Sequence, residues 1–338
     1  MLRKCVILFA LIALVFPVAL AHADARDDVF CGDLSQSDCQ VLLDNAAAMD
    51  SLNSFAFDLS ITGVADSEEP MRLSLEATGQ ITLDEESLQL INDQAANASE
   101  ADWGELMEIF LTSVTADILI DLTDSSGAEE VKTEIRLLLK DGIMLLSADA
   151  LSALTGEDMS GMEGFGVDLN DAIGELLTES GAMPEAESAE MQEMEEVAES
   201  AMTISRLADS EVGSVAVAVF RTDLDLNAIL NLVSAEQLAA ASNDMDDPAA
   251  VRELMDAIDV GEFSVIQYIG LDDKYTYGID AVVDMSMSLK ENGQEMNSSI
   301  SFDMSAILSK FGEPFDVTIP EDAFVFPLAM LMQMQAGS

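Results

Sequence analysis

Apolar and polar residues alternate over long stretches of this chain, and the alternation predicts most of its elements. Phe55, Phe57, Leu59 and Ile61 alternate with Ala56, Asp58, Ser60 and Thr62. After a polar turn over Asp66–Pro70, the same pattern resumes at Met71, Leu73, Leu75 and Ala77. Successive strand side chains point to opposite faces, so each run reads as a strand with one apolar side, and the pair as antiparallel. Strand character returns over Ala116–Leu122, Val131–Lys140, Gly142–Ser147 and Val212–Arg221. Asp141-Gly142 is a hairpin signal, because a two-residue turn between twisted strands needs left-handed backbone. The last third predicts a meander of Glu262–Leu271, Tyr275–Leu289 and Glu295–Leu308, then a short strand at Phe315–Ile319. In its middle strand Tyr275, Tyr277, Ile279, Ala281, Val283, Met285, Met287 and Leu289 all fall on one face.

Helical spacing fills the gaps. Ser37 and Gln40 have the spacing of a capping box, predicting a helix from there to about Met49. Residues 85–113, with the single tryptophan Trp103, read as helical, as do Asp168–Leu177, Leu224–Val233, Ala235–Ala241 and Pro248–Ile258. Between Glu185 and Glu199 lie seven glutamates, with Met191, Met194, Ala198 and Ala201 at helical spacing. That stretch reads as an acidic surface helix with a thin apolar stripe, the alternative being a Met-rich mobile lid. No linker divides the chain, so the pattern predicts one domain of α+β type over 24–338, with a helical acidic insertion at about 151–204.

The first 23 residues stand apart. Arg3 and Lys4 precede an apolar run over Cys5–Leu20, and Ala21-His22-Ala23 is a small-x-small cleavage site, the three parts of a secretory signal peptide. Its removal takes away the only histidine and leaves 11 basic residues against 65 acidic ones. The expected location is extracytoplasmic, in a periplasm or outside the cell, as a soluble protein without a stable membrane anchor. Cys31 and Cys39, eight positions apart in an exported chain, predict a disulfide.

Composition then narrows the chemistry. So acidic a chain builds no basic face for phosphates, which argues against a nucleic-acid partner. Without a mature histidine there is no Ser–His or Cys–His nucleophile pair, and the commonest zinc ligand is missing. No phosphate-cradling glycine motif occurs. Asp223-Leu-Asp225-Leu-Asn227 opens like a calcium loop, but Ala228 and Ser234 stand where such a loop needs glycine and a bidentate glutamate. No metal, cofactor or catalytic group is therefore expected. The acids are spread along the whole chain, which favours a hydrated, soluble surface over the other reading of the charge, recruitment of a cationic protein partner.

Two stretches carry a family resemblance. The passage from Met49-Asp-Ser-Leu-Asn-Ser-Phe55 into FAFDLSITG resembles the opening of the LolA/LppX-like lipoprotein- and lipid-carrier superfamily, which is bacterial and exported. The ending Leu308-Ser-Lys-Phe-Gly-Glu-Pro314, then Phe315-Asp-Val-Thr-Ile-Pro-Glu-Asp-Ala323, resembles that family's close. The resemblance covers about 41–83 and 262–323. It implies a strongly curved antiparallel β-sheet, a half-barrel, with helices packed on the concave face and an apolar cavity between them for acyl chains.

On that footing the expected function is non-catalytic carriage or binding of a lipid or other hydrophobic ligand. The candidate lining is Phe55, Phe57, Leu59, Leu73, Leu75, Tyr275, Tyr277, Ile279 and Met285. The alternative is a secreted structural or protein-interaction module whose core its own helices fill.

Overall fold

A computed structural model describes residues 29–66, 70–95, 109–126, 130–147, 165–170, 200–228, 257–291, 294–320 and 323–327. The predicted signal peptide, Trp103, most of the acidic insertion and all of the segment 229–256, with the helices expected at Ala235–Ala241 and over most of Pro248–Ile258, lie outside them.

The described chain starts with helix α1, Gln36–Asp50. Strands β1 (Ser54–Asp66) and β2 (Met71–Leu83) follow, then helix α2 (Glu85–Ala95). Next come β3 (Val114–Asp124), β4 (Val131–Lys140), β5 (Ile143–Leu146) and β6 (Phe165–Asp168). The second half has β7 (Met202–Arg206), β8 (Ser210–Val212), β9 (Val215–Leu224), β10 (Ile258–Gly270), β11 (Thr276–Glu291), β12 (Gln294–Ser309) and β13 (Phe324–Pro327).

All thirteen strands join one curved, unclosed sheet in the order β13-β6-β5-β4-β3-β2-β1-β12-β11-β10-β9-β7, with β8 also on β9. Every pairing is antiparallel except β13 with β6. The long β1 therefore sits between its hairpin partner β2 and the late strand β12, which closes the sheet's centre across most of the sequence. Two cross-strand contacts suit the curvature. A Cβ on Gly79 would lie 2.8 Å from the Phe57 ring, and one on Gly63 would lie 2.9 Å from the Phe302 ring. Glycine at these two places lets an aromatic ring lie flat across the neighbouring strand.

The alternation read from the sequence survives as two chemically distinct faces. Phe57, Leu59, Leu75, Ala77, Ile118 and Ile120 are buried on the inner face, while Asp58, Ser60, Glu76, Thr78 and Asp121 are exposed on the outer one. The Asp141-Gly142 hairpin is present, with φ of 51° and 74°, the left-handed values that such a turn requires.

Several boundaries differ from expectation. The N-cap of α1 is Ser35 rather than Ser37: its Oγ accepts from the Asp38 N–H at 3.2 Å, so Asp38 holds the place expected of Gln40. Gln40 instead donates from Nε2 to Asp44 Oδ1 at 2.9 Å. Asp168 and Ile258, expected in helices, belong to β6 and β10, where strand pairing overrides helical spacing. Leu224 closes β9, helix is present over 226–228, and the remainder of the helix expected at Leu224–Val233 lies outside the described residues. A turn at Gly213, with φ of 62°, splits the strand expected at Val212–Arg221 into β8 and β9.

The segment Phe315–Ile319 is not a strand. It crosses the outer face as an extended strap, and its alternating Phe315, Val317 and Ile319 pack on Leu138 and Leu145. The period of two comes from side-chain packing alone, without a backbone ladder. Lys140 Nζ fastens the strap by donating to Asp316 Oδ1 at 2.7 Å and to the Val317 carbonyl at 2.8 Å.

Candidate functional site

The inner face is not uniform, and the cross-strand register divides it into rows. One row runs Ile120, Ala77, Leu59, Ala306, Ile279 and is buried throughout. The next runs Leu122, Leu75, Ile61, Met304, Ala281, and of these only Leu75 is buried. Leu73, Gly63, Phe302 and Val283 follow, then Met71, Ala65, Ile300 and Met285. In those last two rows Gly63 is buried and the other side chains are partly exposed.

Helix placement explains the gradient. Met49 of α1, Leu52 just beyond it and Leu88 of α2 join Phe55, Phe57 and Leu59 in one buried cluster, with Ile91, Phe110 and Leu111 packed against it. Two devices fix these helices on the sheet. The first is a polar network: Asn45 Nδ2 donates to the Lys274 carbonyl at 2.6 Å and to Thr276 Oγ1 at 3.0 Å, and Gln267 Nε2 donates to Asn45 Oδ1 at 3.0 Å. The second is the cap of α2, where Asp84 Oδ1 accepts from the Ser87 N–H at 2.9 Å. Partial burial pushes the Asp84 carboxyl up, but hydrogen bonds from Ser87 and the neighbouring backbone outweigh it and hold the group below its usual range. A Cys31–Cys39 disulfide ties the chain entering α1 to that helix. Beside it Leu42 packs on Ala218, Phe220 and Ile269.

The proposed lining residues fall on both sides of this division. Phe55, Phe57, Leu59, Leu75 and Ile279 are buried, whereas Leu73 and Met285 lie in the partly exposed rows. Tyr275 and Tyr277 form a third group. A register shift between β10 and β11 pairs Tyr268 with Gly278 but Ile269 with Thr276, leaving Tyr277 as the extra residue. Thr276 thereby becomes buried and meets Asn45, while the Tyr275 and Tyr277 rings pack on Phe311 at 4.7 and 5.0 Å. Burial, then a hydrogen bond to Asp273, pushes the Tyr277 hydroxyl up to about 12, so it stays neutral. Met71, Val283, Met287, Phe302 and Met304 belong to the partly exposed region although they were not among the candidates; the alternation that marked the others marks them equally.

The chemistry of the open rows is apolar. Along the rows through Ile61, Gly63 and Ala65, from β4 to β9, the ionisable side chain among the described residues is Asp124, at the rim. Hydrogen bonds from Ser126, including its N–H at 2.9 Å, hold that carboxyl below its usual range.

The outer face is the reverse. Glu76, Asp121 and Glu134 stand directly opposite one another on β2, β3 and β4. Near them a cavity of about 560 Å³ opens between the sheet and the strap, lined by Asp58, Asp117, Arg136, Lys310 and Phe315 among others. Arg136 is held across it by a two-point pair with Asp117, at 3.0 and 2.7 Å. The calcium-like residues are engaged in structure: Asp223 accepts from Arg221, Asp225 caps the turn at Ala228, and Asn227 bonds both backbone groups of Val260. Among the described residues no group of three or more acids or cysteines is arranged to hold a metal ion. Among them, too, no helix is long and apolar enough to cross a membrane.

No family model and no curated protein matches this sequence. Solved structures do. LprF from Mycobacterium bovis is similar over 86% of this chain and 100% of its own, with 11% identity and a TM-score of 0.36. The lipoprotein LppX of Mycobacterium tuberculosis is similar over 82% of this chain and 97% of its own, with 9% identity and a TM-score of 0.32. A putative outer membrane lipoprotein-sorting protein domain from Vibrio parahaemolyticus covers 82% of this chain, with 6% identity and a TM-score of 0.16.

Proposed function

We propose that this chain is an exported, non-catalytic carrier or binding protein for a lipid or another hydrophobic ligand, bound on the open half of the sheet's inner face. The observation that carries the reading is the run of partly exposed apolar side chains from Ile61 to Ala65 and their neighbours on β2, β11 and β12, beside rows that the protein's own helices cover. A sheet with one apolar face needs something apolar against it, and a ligand completes what α1 and α2 leave uncovered. Each methylene of an acyl chain buried there contributes roughly 0.8 kcal/mol, so a dozen outweigh the cost of association. Of the candidates, Leu73 and Met285 would touch such a chain, while Phe57, Leu59 and Ile279 belong to the buried rows beside it. The acids of the convex face support the soluble-surface reading of the charge and mark where a cationic protein partner would dock.

The packed half supports the alternative, a structural or interaction module. Lipid extraction from natively purified protein, with displacement of a fluorescent fatty-acid probe, separates the two. Bound lipid, and a probe whose affinity falls at least tenfold in Leu73→Asp, supports the carrier. A protein that yields no lipid and binds no probe leaves the module.

A further inference from the structure

Methionine is unevenly placed in this sheet. Among the described residues Met49, on α1, is the buried methionine. Met71, Met285, Met287 and Met304 all occupy inward positions of the open rows or their continuation, and all four are partly exposed, with Met304 also packed against the covered cluster. The buried rows use leucine, isoleucine, alanine and phenylalanine at most of the equivalent places, with Met144 on β5 partly exposed at the end of the row of Phe55, Ile81, Ala116 and Leu139. A methionine side chain is apolar, though less so than leucine, and more flexible, so it suits a surface that must fit chains of varied shape. It also differs from leucine in one chemical respect: its sulfur reacts with peroxides.

We propose that Met71, Met285, Met287 and Met304 form a peroxide-sensitive modification site whose oxidation switches off the apolar surface. This rests on the carrier reading above. In each case a sulfur lone pair attacks one oxygen of hydrogen peroxide or an organic hydroperoxide. The S–O bond forms as the O–O bond breaks, and the sulfur loses two electrons. The second oxygen leaves with the bonding pair and, once protonated, becomes water from hydrogen peroxide or an alcohol from an organic hydroperoxide. The product sulfoxide is polar and carries a strong hydrogen-bond acceptor. An acyl chain laid across it leaves that acceptor without water or a donor, which opposes binding. Met285 sits in the same row as Met71, with Ala65 and Ile300 between them, so oxidation at both ends makes the row polar from β2 to β11.

The test uses the whole protein and hydrogen peroxide, with peptide mass spectrometry for the sulfoxides and a fluorescent fatty-acid probe for binding. The four sulfurs are expected to oxidise several-fold faster than Met49, and probe affinity to fall at least tenfold as they do. A variant with all four changed to leucine, which roughly conserves volume, should lose no affinity on peroxide treatment relative to its own untreated value, whatever that value is. Met285→Leu alone should retain part of the affinity after oxidation, which guards against misfolding of the fourfold variant. The proposal is overturned if the four oxidise no faster than Met49, or if fully oxidised protein binds the probe as the untreated protein does. Untreated protein that binds no probe fails the carrier reading, and the switch with it, whatever the oxidation map shows.

Discussion

The two ends of the long central strands are built from the same alternating pattern, yet they end in different environments. At Phe55–Leu59, inward side chains meet α1, α2 and residues 109–113 and are buried. Six residues further along the same strand, Ala65 and its cross-strand neighbours Met71 and Ile300 are partly exposed. An apolar stripe therefore specifies that something must cover it and does not specify what. Among the described residues, the covered end is the one that meets α1, α2 and residues 109–113.

The largest expected effect tests that contrast directly. Phe57 is 5% exposed and lies across Gly79, so Phe57→Ala leaves a cavity and should cost about 3–5 kcal/mol of stability. Met285→Ala, on the open half, should cost under about 1.5 kcal/mol because a partly exposed side chain loses less on truncation, while weakening ligand binding. Equal losses in urea titrations of the two variants would erase the distinction between the halves.

A smaller effect concerns what holds the packed half shut. Asn45→Ala removes the side chain that ties α1 to Lys274, Thr276 and Gln267, and takes one hydrogen bond from each of Gln267 and Thr276, which keep the bond between them. The expected loss is about 1–3 kcal/mol, with faster amide exchange in α1 than in β1. If α1 exchanges at its original rate, packing alone seats the helix.

The smallest effect is a pH dependence. The Asp84 carboxyl has a depressed value in the folded chain, relative to an ordinary 3.8. Its stabilising contribution is thus complete above that ordinary value and is lost as pH falls through the lower folded value. Asp84→Ala should cost about 1 kcal/mol at neutral pH, and the difference from the parent chain should shrink as the pH drops below 3.8. A gap that stays constant down to pH 2 would remove Asp84 from the account of how α2 is held.

Much of the architecture was legible in the residues. Val131–Lys140 occupies the stretch its alternation marks, and the Asp141-Gly142 turn adopts the backbone that its composition demands. What misled was local pattern without its partner. The Phe315–Ile319 alternation looks like a strand, but its backbone crosses the sheet instead of pairing with it. The run through Tyr277 looks unbroken, but an extra residue shifts the register and brings Thr276 inward to meet Asn45, 231 positions away. Likewise, Ser37 had the spacing of a cap, but Ser35 holds the position.

The sequence by itself determined the elements and their two-faced character, because side-chain direction in a strand follows from backbone geometry and needs no distant contact. It marked one side of the sheet as apolar and put the acids on the other. Only the tertiary structure decided that α1 and α2 cover one end of the inner face and leave Met71, Leu73 and Met285 partly in contact with water. That choice depends on the Asn45 network and on helix packing between segments far apart in the chain, and no local pattern of residues encodes such distances.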